Sequence, residues 1–312
     1  MNDGFLGVLR LTLVALQNIS FAALVGALIC DRWLVRRTSH WQASVSKRLM
    51  LTARLASFAS LLSSIAAFWT HCALMSESTV AEAGPAVYSM LRETGYGHAW
   101  LAGALLTLGA LVLLSLPTSA RGRLMPVTWL CIAGVALGRS NTGHSVETGF
   151  FSLPVWADWI HLLSISVWVG LVVATSYVVA PRLLSGDTDR ENGASFIQSL
   201  SDTATVALLV LFATGAYNGL RSVDTPAGFV ASGYGQILML KLGLVLVAAA
   251  LGGHNRFFEM PRLLAALQQD SMRGAEPALK RFSRVLHVES IVLVAVLIAA
   301  AVLVSSPLPG TA

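Results

Sequence analysis

Residues 141–170 read NTGHSVETGFFSLPVWADWIHLLSISVWVG, and this stretch decides how the rest of the chain is read. A polar loop with two glycines carries His144. Pro154 then opens a long apolar run that contains Asp158, His161 and Trp168. A carboxylate and an imidazole inside an apolar run are costly to keep unless they have partners or a task. The whole chain has the same character. Of its 312 residues 55% are hydrophobic and 12% are charged, where a soluble domain carries about 25% charged residues. Repeated long apolar runs place the chain in a bilayer.

A spanning helix needs about 20 mostly apolar residues. Eight segments qualify, roughly 5–31, 49–75, 98–116, 126–140, 155–181, 202–220, 235–256 and 285–306; the fourth is the shortest. The fold class is therefore an all-α polytopic bundle of about eight transmembrane helices, a single domain over 1–312. The Lys and Arg residues divide unevenly among the connections. Sixteen lie in or beside the first, third, fifth and seventh, and three (Arg92, Arg139 and Arg221) lie on the other side. Arg10 and Lys241 fall within helices. Cytoplasmic loops carry the excess of basic residues, so both termini are expected in the periplasm. The net charge of +5 then sets orientation and points to no nucleic acid.

The start MNDGF has no basic region, so the first segment reads as a retained helix and not a cleaved signal. Cys30, Cys72 and Cys131 sit in separate apolar segments with no CxxC spacing, so no disulfide framework is expected. No GxxxxGK[ST] motif is present, and ATP is not expected to drive the protein. The LLAALQQ run at 263–269 suits a short interfacial helix.

In this topology His71, His98, His144 and His161 fall at or just below the periplasmic surface. His161 is about 9 Å into its helix, at 1.5 Å per residue. Cys72 and Met75 lie on the same side. Imidazole, thioether and thiolate are ligands that suit copper, so His144, His161, His71, His98, Met75 and Cys72 are the candidate metal ligands. His71 and Met75, four apart, share a helix face, as do Asp158 and His161, three apart. A carboxylate one turn from an imidazole can orient its ring. Trp168 lies one heptad further along that face. Lys241 either snorkels outward or pairs with Asp158. On the cytoplasmic side His254, His287 and Glu289 form a smaller set, and the two sets together suit a path for an ion. Glu289 could instead pair with a loop arginine. Tyr217 and Asn218 are expected to cap the sixth helix. His40, in a basic loop, is given no role.

Three stretches together resemble the copper resistance protein D (CopD) family of bacterial inner-membrane proteins. They are GRSNTGHSVETG with DWIHLLSISVWVGLV, FATGAYNGL with YGQILMLKLGLVLVAAALGGHNR, and RFSRVLHVESIVLVAVLIAAAVLVSSPLP. The likeness covers about 138–309 and carries over to His144, His161, Trp168, Tyr234, Gly235, Lys241, Asn255, Arg256, Glu289 and Pro307. It implies a copper-handling protein of the inner membrane, moving copper inward alongside periplasmic copper carriers, with no catalytic residue. Two other functions fit the residues: binding of b-type haem by histidines of separate helices, and docking of a periplasmic copper chaperone.

Overall fold

The computed structural model describes residues 2–34, 39–143, 149, 151–183, 190–222, 232–268 and 272–305. Among these there are helices and connections but no strand. We number nine helices. They are α1 (Asn2–Trp33), α2 (His40–Met75), α3 (Gly84–Glu93), α4 (Gly95–Ser115), α5 (Thr118–Ser140), α6 (Leu153–Ala174), α7 (Arg190–Ser222), α8 (Gly233–His254) and α9 (Met272–Val304). Two continue past their ends. A π-turn, Thr175–Val179, joins α6 to Ala180–Leu183, and a second, Asn255–Glu259, joins α8 to Met260–Gln268. Residues 263–268 of that run are thus helical, but as an extension of α8.

Among the described residues seven helices are long and apolar enough to cross a bilayer: α1, α2, α4, α6, α7, α8 and α9. α5 has 23 residues, about 34 Å at 1.5 Å per residue, which is also enough to span. It carries Arg121, Arg123 and Arg139, packs against α4 and α6, and completes eight traverses. An even number of traverses leaves the start of α1 and the end of α9 at one face of the bundle. We call this the terminal face and the opposite one the loop face. α3 lies at the terminal face and was not anticipated; Pro85 sits in its first turn, where its missing N–H costs nothing.

The spanning helices begin earlier than the apolar runs suggest, and polar side chains cap three of them, α2, α4 and α8. Ser39 Oγ accepts from Gln42 N at 3.2 Å while Gln42 Oε1 accepts from Ser39 N at 3.3 Å, a reciprocal cap that starts α2 at His40. Thr94 Oγ1 accepts from Gly97 N at 2.9 Å at the start of α4, and Ser232 Oγ accepts from Gly235 N at 3.0 Å at the start of α8.

α6 is the central helix. It touches α1, α5, α7 and α9, and Trp168, Val169, Leu171 and Val172 are all buried. Its closest crossing is with α1. A Cβ on Gly26 would overlap the Gly170 backbone, and one on Gly170 would overlap the carbonyl of Ala22. Bilayer helices approach this closely where small residues face each other. α2 lies on the far side of α1 and packs on α1, α3 and α4.

Gly170→Leu therefore forces α1 and α6 apart. Overpacking of this kind costs about 1–3 kcal/mol, and here it acts on the central contact. Unfolding of the purified protein in mixed micelles should show that loss, while Gly4→Leu, where nothing lies within 4 Å of an added Cβ, should unfold like the parent.

Candidate functional site

The polar residues of α6 lie along one face. Asp158, His161 and Trp168 follow one another at spacings of three and seven, so about 15 Å of helix separates the first from the last. Four further helices close on this face: α5 and α8 meet Asp158, α7 meets His161 and α9 meets Trp168.

Near the terminal face Asp158, half-buried, interacts with Lys241 of α8, Arg139 of α5 and Ser140. Lys241 thus turns inward, the pairing that the cost of an unpaired ammonium in the bilayer favours. Arg139 also donates to Asn18 Oδ1 of α1, and its guanidinium lies 5.9 Å from the Phe21 ring centroid. Positive charge from two helices therefore surrounds one carboxylate.

One turn deeper, His161 Nδ1 lies 3.0 Å from Thr214 Oγ1 of α7. The Thr214 hydroxyl donates its own hydrogen to the Val210 carbonyl at 2.8 Å. Its oxygen is left to accept, so Nδ1 carries the ring proton. In that tautomer the lone pair lies on Nε2, the form in which a neutral imidazole binds a metal ion, and the Leu211 backbone also lies within hydrogen-bonding reach of the ring. Gly215 gives the ring space, since a Cβ there would be 3.3 Å from Cε1. The orienting partner of His161 is thus Thr214, on a different helix from Asp158.

Two further turns along, Trp168 Nε1 donates to Glu289 Oε1 of α9 at 3.2 Å. Both are buried, 2% and 3% exposed. Glu289 forms no ion pair with a loop arginine among the described residues; Trp168 and the close approach of Gly252 hold it.

The other predicted residues fall into separate groups. His71 and Cys72 sit on α2 with the Tyr96 ring of α4, whose centroid is 5.0 Å from that of His71, and with Arg10 of α1. Cys72 is fully buried, and His71 Nδ1 is buried with no hydrogen-bond partner among the described residues. Met75 is 62% exposed, and His98 is exposed on α4. α1 stands between α2 and α6, so His71 and His161 belong to two groups. His144 and Pro307 lie outside the described residues. Among the described residues no three His, Cys, Asp or Glu side chains gather as a metal site.

At the loop face His254 is exposed, with Nε2 3.7 Å from the buried Glu259, which also pairs with Arg262 at 3.0 Å and Arg281 at 3.4 Å. His287 turns to Ser176 Oγ at 3.1 Å and the Tyr177 ring. Asn255 is buried, and Arg256 reaches Asp202, Ser201 and Thr205 of α7. Tyr234 packs on Leu238 and Leu303. Tyr217 and Asn218 lie inside α7, which runs on to Ser222, so they do not cap it.

Helices of this length and apolarity, with a polar lane buried along the central one, define a polytopic membrane protein. The family described as copper resistance protein D matches residues 194–303, and that described as copper resistance protein D-like, N-terminal domain, matches 1–153. The chain belongs to the copper resistance protein D family. It is 24% identical over 275 residues to the inner membrane protein YebZ of Escherichia coli, covering 86% of this chain and 90% of that one. It is 29% identical over 228 residues to copper resistance protein D of Pseudomonas syringae pv. tomato, covering 70% and 71%. It is 26% identical over 224 residues to the copper transport protein CutJ of Bacillus subtilis, covering 70% of this chain but only 38% of that protein. No solved structure matches the chain. It is a multi-pass inner-membrane protein related to copper resistance.

Trp168→Phe keeps the ring but removes the only hydrogen-bond donor described for Glu289. Leaving that carboxyl without its partner should cost about 1–3 kcal/mol. The same micelle unfolding reads it, and an unchanged midpoint would show that the bond contributes nothing.

Proposed function

We propose that the protein binds copper ions and carries them across the inner membrane toward the cytoplasm, as part of copper homeostasis and resistance. The observation that carries this reading is His161, an imidazole inside the membrane whose Nδ1 lies 3.0 Å from Thr214 Oγ1, an arrangement that directs Nε2 to an ion. The named relatives from Pseudomonas and Bacillus support copper as the cargo.

In this reading the terminal face is periplasmic, because the basic residues crowd the other side. His144, His71, His98, Met75 and Cys72 take the ion from periplasmic copper-binding proteins, and His161 receives it within the bundle. Asp158 and Lys241 set the charge at the entrance. Trp168 and Glu289 line the deeper stretch, and His254 and His287 lie at the exit. No chemical step is required of the protein. The membrane potential can supply the drive, since one charge crossing 100 mV is worth about 2.3 kcal/mol.

Copper analysis of the purified protein, with uptake into proteoliposomes, tests the reading. His161→Ala and His144→Ala should each lower bound copper. Thr214→Val, which frees the ring without removing it, should weaken binding about 10–100-fold, as loss of an orienting partner does. Equal copper content in all four proteins would remove the site, and copper binding without uptake would remove the transport.

A further inference from the structure

A cavity of about 250 Å³ lies between α6, α7, α8 and α9 in the loop-face half of the bundle. Its wall is largely apolar. The polar exceptions are Ser201, Thr205, Asn255, Arg256, Trp168 and Glu289. At about 30 Å³ per water it has room for several.

The two charged residues on this wall do not meet. Arg256 is committed to α7, with Ser201 at 2.7 Å, Thr205 at 3.0 Å and Asp202 at 3.1 Å. Glu289 joins none of the described ion pairs. A carboxylate buried in a bilayer bundle without a cation is strongly disfavoured, and taking up a proton removes the charge.

The hydrogen bonds fit the neutral acid. Its carbonyl oxygen can accept from Trp168 Nε1, and its second oxygen then offers an O–H. An acceptor waits on the same wall. Asn255 is 5% exposed, its amide nitrogen donates to the Phe282 carbonyl at 3.5 Å, and its Oδ1 is buried with no donor among the described residues. Buried acceptors in native proteins find a donor, often an ordered water. A spare O–H and an orphan acceptor around one small cavity are satisfied together by water between them. Gly252 keeps the place open, since a Cβ there would stand 2.9 Å from Glu289 Oε1.

We propose that Glu289 is a proton-binding site, loaded and emptied from the loop face through this water-holding cavity. A cavity water passes a proton to a carboxylate oxygen and takes it back, and no other bond is made or broken. The surrounding titratable groups do not compete. Asp202 of α7 and Arg256 of α8 hold each other. His287 of α9 is turned to Ser176 and Tyr177. Asp158 and His161 of α6 lie about 10 Å or more further along that helix than Trp168. The proposal goes beyond the copper reading and stands without it.

Infrared spectroscopy of the full chain in lipid at neutral pH tests it without copper. The carbonyl stretch of a protonated carboxyl should be present in the parent, vanish in Glu289→Gln, and shift when H2O is replaced by D2O. Ala204→Phe, which fills the cavity and leaves Glu289 in place, should slow that shift several-fold. Should Glu289→Gln fail to fold, Glu289→Asp moves the band instead of removing it. A parent spectrum without the band, a band indifferent to Glu289 substitution, or exchange as fast in Ala204→Phe as in the parent overturns the proposal.

Discussion

The bundle depends on the backbone crossing of α1 and α6 at Gly26 and Gly170. There is little hydrophobic force between helices in lipid, so close packing must hold them. Because both crossing positions lack a side chain, α6 sits in the middle of the bundle, in contact with α1, α5, α7 and α9. That position is what allows Asp158, His161 and Trp168, all on α6, to meet residues from α5, α7, α8 and α9. Two residues before Gly170, Trp168 is pressed into the core and reaches Glu289. Packing and polar chemistry thus come from the same turns of one helix.

The polar lane is graded. Near the terminal face it is charged, with Asp158 facing Lys241 and Arg139. At His161 it is an imidazole held by a hydroxyl. Deeper it is a carboxyl group held by an indole. Each step removes a group from water and matches it with a partner from another helix, which is how ionisable residues persist inside membranes. A lane built this way offers an ion or a proton successive stations of differing charge.

Much of the fold was legible in the sequence because spans are long and the basic residues are lopsided. The ends of the helices were not. Ser39 and Gln42 extend α2 through a polar stretch that hydropathy assigns to a loop, and α3 is too short and polar to register as a span. The sequence left Lys241 two choices, outward to the surface or inward to Asp158, and the structure places it near Asp158. The bonds that orient the site were hidden. Thr214 lies 53 residues from His161, and a threonine in an apolar helix usually bonds only to its own preceding turn. Trp168 and Glu289 are 121 residues apart, and no periodicity links α6 to α9. Gly252 left a faint signal, as half of a Gly-Gly pair near the end of a spanning helix, but its role needs the neighbour's carboxyl to be seen.

The central claim is that Nε2 of His161 meets copper inside the bundle. Anomalous diffraction from crystals of the protein grown with copper locates the ion directly. The account predicts a copper peak at coordination distance from His161 Nε2, with Nδ1 still on Thr214. Copper found only at surface side chains, with His161 Nε2 bonded to another protein group, would contradict it.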